Sequence, residues 1–228
     1  MKKIALSVIA LFAFLSISIA QNQFGLRAGL TIASTTNYQE ADELENLWPA
    51  GLVAGLATSF RAGDNFAIAP EINYVQKGNN VEGRYSSNIT DFDGYTKSSL
   101  NYLEVPILFR IHFGDVLGGY LNAGPTFGYL LSGKYTVDNN VVFYEDDFDV
   151  EDAGFNRMEV GGAIGGGLAL NTEIGTFLVD LRYTRGFTKL YKDEINVLSN
   201  PVSVLYDTEN ARNQTISTSL IFLIPSNR

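Results

Sequence analysis

Apolar and polar residues alternate along most of the chain with a period of two. That is the period of a β-strand whose two faces meet different surroundings. In residues 24–33, Phe24, Leu26, Ala28, Leu30 and Ile32 share one face, and Gly25, Arg27, Gly29, Thr31 and Ala33 share the other. The same alternation runs through residues 49–60, 66–77, 101–113, 119–132, 157–170, 176–187 and 214–224. In residues 66–77, for example, Phe66, Ile68, Ile72 and Tyr74 stand opposite Ala67, Ala69, Glu71, Asn73 and Lys77. The pattern predicts an all-β fold of eight strands.

The connections alternate in length. Residues 61–65, 114–118 and 171–175 make short turns, and residues 34–48, 78–100, 133–156 and 188–213 make long loops. Short turns at one rim and long loops at the other predict an eight-stranded antiparallel transmembrane barrel, with the short turns periplasmic and the four long loops extracellular. An even strand count returns both ends of the barrel to the short-turn rim.

A soluble, lipocalin-like barrel would put the apolar face inside; a membrane barrel puts it outside. The polar face decides between them. It is rich in small residues and carries seven charges, Arg27, Glu71, Glu104, Arg110, Glu159, Asp180 and Arg182. Seven mixed charges suit a confined interior that pairs them and are too few for a soluble exterior. Aromatic residues agree. Phe24, Phe60, Phe66, Phe113 and Phe222 fall at short-turn ends, while Trp48, Tyr74, Tyr129, Tyr183 and Phe187 fall near long-loop ends. Two aromatic girdles at headgroup depth are the expectation for such a barrel.

The first twenty residues stand apart. Lys2 and Lys3 precede an apolar run over residues 4–19, and Ser18 and Ala20 place small residues before Gln21. This reads as a secretory signal peptide over residues 1–20, cleaved to leave the barrel domain 21–228. An uncleaved anchor helix is disfavoured because the run is short for a span.

Charge and composition narrow the chemistry. The chain has 16 Lys+Arg against 25 Asp+Glu, a net charge of −9 that becomes −11 without Lys2 and Lys3. An acidic chain without basic stripes excludes nucleic acid as a partner. The absence of cysteine excludes disulfides and thiol chemistry, and one histidine excludes most histidine-based metal or triad sites. Most of the negative charge falls in the four long loops. The densest run is Tyr144–Asp152, with Glu145, Asp146, Asp147, Asp149, Glu151 and Asp152. Clustered hard oxygens attract calcium, but the run lacks the glycine and spacing of an EF-hand loop, so a solvated acidic loop is the simpler expectation.

Three features strain the pattern. Pro70, Pro106 and Pro125 fall inside predicted strands, where bulges or lost ladder bonds are expected. Arg185 falls on the lipid face by parity, where it would snorkel to the outer interface, or else the register slips. Gly161, Gly162, Gly165, Gly166 and Gly167 would weaken a strand unless close packing and curvature require them.

The stretches FGLRAGL (24–30), APEINYVQKG (69–78), YLEVPILFRIHFG (102–114), GYLNAGPTFGYLLSG (119–133), VDLRYTRGFTKL (179–190) and STSLIFLI (217–224) together resemble the PorT-like outer-membrane β-barrel proteins of Bacteroidota, the outer membrane protein beta-barrel domain family. The resemblance implies an eight-stranded barrel in the cell outer membrane, supplies no catalytic residues, and includes the three prolines in its motifs. One branch is tied to assembly of the type IX secretion apparatus. The chain departs from the common terminal aromatic, since Phe222 lies six residues before Arg228.

Three classes of function follow. The first is a structural or interaction module that presents acidic extracellular loops, alone or as an accessory component of an envelope secretion or assembly machinery. The second is a narrow porin-like channel for small solutes. The third, a lipid-modifying enzyme, needs a nucleophile and base at the long-loop rim, whereas His112 lies at the opposite end; a non-enzyme is expected. An eight-stranded barrel is normally filled by its own side chains, which favours the first class. The expected partners are outer-membrane lipid and other envelope proteins, the expected state is a monomer, and no cofactor or metal is expected.

Overall fold

The computed structural model describes residues 22–36, 44–86, 91–138, 143–148, 150, 154–192 and 210–226. The predicted signal peptide, residues 1–20, lies outside them. Eight long strands close on one another: β1 (Gln23–Thr36), β3 (Ala50–Arg61), β4 (Phe66–Ser86), β5 (Asp91–Phe113), β6 (Leu117–Asp138), β8 (Met158–Thr172), β9 (Gly175–Gly186) and β10 (Arg212–Pro225). Each pairs antiparallel with its neighbours in that order, and β10 returns to β1 from Gln23↔Pro225 to Thr36↔Arg212. Two short strands, β2 (Leu44–Leu47) and β7 (Phe143–Phe148), add to the far ends of β4 and β6.

The long-loop rim differs from expectation. Residues 78–100 are predicted as a loop, yet β4 runs on to Ser86 and β5 begins at Asp91, paired throughout from Gly78↔Ser99 to Ser86↔Asp91. Likewise β6 continues to Asp138 and takes β7 as a partner inside the predicted loop 133–156. The apolar alternation stops where the wall leaves lipid, because the outward face need no longer be apolar. Backbone pairing needs no such pattern and continues.

The wall is turned inside out relative to a soluble barrel. Leu26, Leu30, Leu52, Leu56, Leu121, Ile164, Leu168 and Leu181 are each more than half exposed, while Arg27, Glu71, Arg110, Asp180 and Arg182 are buried. A lipid exterior and a polar, self-paired lumen account for both. Both aromatic sets lie on the outer face. Phe24, Phe66 and Phe113 are exposed near the short turns, and Trp48, Tyr74, Tyr129 and Phe187 towards the long-loop rim.

Of the bulges or lost ladder bonds expected at the prolines, the structure shows the lost bonds. Pairing lapses beside them, between Ala57↔Glu71 and Phe60↔Ile68, between Pro70↔Ile107 and Asn73↔Glu104, and between Pro106↔Thr126 and Phe109↔Ala123, but the register on either side is the same. Because Pro70 pairs with Ile107 and Pro106 with Thr126, the three prolines form one oblique row across β4, β5 and β6. Grouping them confines the lost ladder bonds to one band. The register shift lies elsewhere, where Asn101↔Ser132 gives way to Tyr102↔Leu130 and leaves Leu131 as an extra residue on β6.

The glycines of β8 let neighbouring strands approach closely. A Cβ on Gly165 would stand 2.5 Å from the Leu181 carbonyl oxygen, and one on Gly167 would overlap the Val179 carbonyl. In the turn between β5 and β6, Gly114 has a φ of 80°, a left-handed conformation that disfavours other residues.

Candidate functional site: the ionic core of the barrel

All seven charges predicted for the lumen are buried there, at 6 % exposure or less. They form two groups at different heights.

The first group centres on Glu71 of β4. Arg182 of β9 donates to it twice, Nη1 to Oε2 at 2.8 Å and Nη2 to Oε1 at 3.0 Å. Arg27 of β1 donates Nη1 to Oε2 at 2.8 Å, and Asn73 donates Nδ2 to the same oxygen at 2.9 Å. Asp180 is the second carboxylate. It lies 3.1 Å from Arg182 and 3.4 Å from Arg27, and it accepts from the Tyr120 hydroxyl at 2.9 Å and Asn122 Nδ2 at 3.2 Å. Arg27 also donates to Ser217 and Ser219, both at 3.0 Å. Arg110 is held less firmly. Its Nη2 is 3.8 Å from Glu71, its guanidinium stacks 4.9 Å from the Tyr120 ring centroid, and its Nε and Nη1 have no hydrogen-bond partner among the described residues.

The second group is centred on a residue that the count of seven omits. Lys77 Nζ lies 2.6 Å from both Glu104 Oε2 and Glu159 Oε1, and sits 4.8 Å from the Tyr102 ring centroid. Asn213 Nδ2 completes the group by donating to Glu159 Oε2 and, at 3.1 Å, to the Tyr102 hydroxyl. The signal for Lys77 is parity. It shares the Glu71 face, but it closes the predicted strand and reads as the edge of a loop. With it, the buried charges of the lumen among the described residues are four cations and four carboxylates, which balance.

Little space separates the groups. A cavity of about 10 Å³ lies between them, bordered by Arg27, Asn73, Lys77, Glu104 and Arg182. That is room for about one water molecule. Apolar side chains cluster towards both ends. Towards the short turns, Tyr120, Leu178, Ile221 and Leu223 pack together. Towards the long loops, Leu100, Tyr102 and Leu130 of the wall meet Val150, Phe155, Leu190 and Ala211 from the connections. This lid is tied down. Phe155 packs 4.7 Å from Tyr191, and Asn156 Nδ2 donates to the Lys189 and Tyr191 carbonyls at 3.0 Å each.

Among the described residues the other candidates are not brought together. His112 is half-buried at the short-turn end beside Tyr120, 6.1 Å between ring centroids. Of the predicted acidic loop, Glu145, Asp146 and Asp147 belong instead to strand β7, which alternates its residues between two faces. Glu145 and Asp147 are exposed, and Glu145 accepts from Lys134. Asp149, Glu151 and Asp152 lie outside the described residues. Among the described residues no cluster of three or more metal-ligating side chains occurs.

A closed, inside-out barrel with a polar lumen and two aromatic girdles is an integral β-barrel protein of the outer membrane. The chain belongs to the outer membrane protein beta-barrel domain family, whose model matches residues 19–192. Among solved structures it is similar to Neisserial surface protein A (12 % identity over 87 % of this chain and 96 % of that one, TM-score 0.43). It is also similar to the attachment invasion locus protein Ail of Yersinia pestis (12 %, 90 % and 99 %, TM-score 0.44). OprG of Pseudomonas aeruginosa is a third (11 %, 90 % and 95 %, TM-score 0.49). No curated protein matches the sequence.

Proposed function

We propose that this protein is a plugged barrel that serves as a structural and interaction module. It anchors in the outer membrane and presents its extended, acidic extracellular strands and loops to other envelope components. The observation that carries this reading is the Arg182–Glu71 pair, which bridges opposite walls at 2.8 and 3.0 Å and fills the lumen at mid-height. Arg27 and Asp180 widen the blockage, and apolar clusters pack above and below it. The reading treats the chain as a non-enzyme, because its single histidine is remote from the extracellular rim. A role within an envelope secretion or assembly machinery is the narrower form of the same reading, and it follows only from the resemblance to PorT-like proteins.

Planar-bilayer conductance of the folded chain tests this against the channel alternative. A silent bilayer is expected, with folding shown by a heat-dependent gel shift of the same sample. Stable, ion-selective openings would overturn the plug and make transport the leading function.

A further inference from the structure

Arg185 is the residue that fits the lipid-facing wall least. It is exposed on the outer face of β9, and no hydrogen bond or ion pair within the protein engages its guanidinium among the described residues. Its register partners are Gly162 on β8, which has no side chain to shield it, and Gln214 on β10. Arg212 stands two residues further along β10, also outside the lumen, and so lies diagonally beside Arg185 at a Cα separation of about 7–8 Å. Its direction is fixed, since Arg212 Nε donates to the Phe187 carbonyl at 2.9 Å. Gln214 lies between the two arginines, and its amide oxygen accepts from the Tyr183 hydroxyl at 3.3 Å. That bond leaves the amide nitrogen, a donor, without a partner among the described residues.

The height of the patch tells what it meets. Phe177 lies in the short-turn girdle, paired with and stacked on Phe222 at 4.5 Å. Eight residue steps lead from it to Arg185. At ~3.3 Å per residue and a tilt of ~40°, that is a rise of about 20 Å. The apolar band of such a barrel is ~25 Å tall, so the Arg185 backbone stands about 5 Å short of its extracellular edge, between Tyr183 and Phe187, and the long side chain spans the remainder to the headgroups. Below it, Leu181, Ile164 and Ile216 offer an apolar wall to acyl chains.

We infer that Arg185, Arg212 and Gln214 form an outer-wall site for the phosphate group of an outer-leaflet lipid headgroup. Two guanidinium forks and an amide donor match the several oxygens of a phosphate, which a single snorkelling arginine would not require. The positive patch stands out against a long-loop rim whose charge is otherwise strongly negative. A lipid supplies both halves of the complement, phosphate for the arginines and acyl chains for the wall beneath them.

The test is native mass spectrometry of the folded chain in neutral detergent, titrated with diphosphorylated lipid A and, separately, with the dephosphorylated lipid. The phosphorylated form is expected to bind at least tenfold more tightly. Arg185→Gln with Arg212→Gln should abolish that preference while the heat-dependent gel shift stays unchanged. Arg185→Lys, which keeps the charge and loses the fork, should reduce it part-way and serves if the double variant does not fold. Equal binding of the two lipids by the unmodified protein, or an undiminished preference in the variants, would overturn the site. Displacement of the lipid by millimolar inorganic phosphate would overturn the lipid assignment in favour of a free-anion site.

Discussion

Arg182 and Glu71 face each other from diametrically opposite strands, β9 and β4, and meet in a two-point ion pair at 2.8 and 3.0 Å. A pair of this kind acts as a strut across the lumen. Removing one partner leaves a buried charge uncompensated, at a cost of about 3–5 kcal/mol. Arg182→Ala should therefore lower the denaturant midpoint of the folded barrel strongly. Arg182→Ala combined with Glu71→Gln should lower it by clearly less than the two single changes added together. Additive effects in that double-mutant cycle would mean the two residues are not coupled.

Arg110 offers an internal contrast. It lies 3.8 Å from Glu71 and leaves two nitrogens without a partner among the described residues. Its desolvation is poorly compensated, so a flexible apolar replacement loses little. Arg110→Met should cost less than half of what Arg182→Met costs in the same unfolding assay. Equal losses would show that total lumen charge matters, rather than these particular contacts.

Lys77 holds two carboxylates apart from the low-dielectric cost they would otherwise bear. Lys77→Met should destabilise the barrel by about 3–5 kcal/mol, because Glu104 and Glu159 would be left facing each other without a cation. Adding Glu104→Gln and Glu159→Gln should recover a large part of that loss. A triple variant no more stable than Lys77→Met would show that the lysine acts through packing on Tyr102 instead.

The face assignments, and with them all eight buried lumen charges among the described residues, follow from two-residue parity, because lipid outside and a closed lumen inside impose opposite demands on alternate residues. Lys77 falls outside the predicted seven for a local reason. It stands where the outward apolar pattern is about to end, although the inward pattern continues. The same physics hides the strand extensions over residues 79–86 and 91–100, since a wall beyond the lipid needs no hydrophobic signature. Parity also cannot reveal the extra residue at Leu131. An insertion of one residue looks like noise in a single strand and becomes visible only against its partner. Pairing across the lumen, such as Arg182 with Glu71, depends on stagger and tilt, which a one-dimensional pattern does not carry.

Gly167 tests how closely β8 and β9 must approach. A Cβ there would overlap the Val179 carbonyl, so the backbone itself would have to move. Gly167→Ala should cut the yield of heat-shiftable folded barrel severalfold, whereas Gly119→Ala, where the nearest atom lies 3.6 Å away, should not. Similar yields for both would remove close strand approach as the reason for the glycines.

The surface acids and the lid should prove dispensable for the wall. Glu145→Gln with Asp147→Asn should leave the unfolding midpoint unchanged, since both side chains are exposed. Phe155→Ala should loosen the extracellular connections and speed their proteolysis, while the bilayer stays silent because the ionic groups beneath it persist. Openings in Phe155→Ala would shift the role of plug from the charges to the lid.

The extended hairpin of β4 and β5 has a consequence for reach. From Gly78 to Ser86 the strand advances through eight residue steps, and at the rise and tilt used above that lifts its end about 20 Å further from the membrane. A binder would meet Ser86 and Asp91 clear of the headgroups. Surface sugars shorter than that height would leave the hairpin tip open to large soluble partners, and longer ones would bury it. The length of the surrounding glycan would then gate access to this protein without any change in the protein itself.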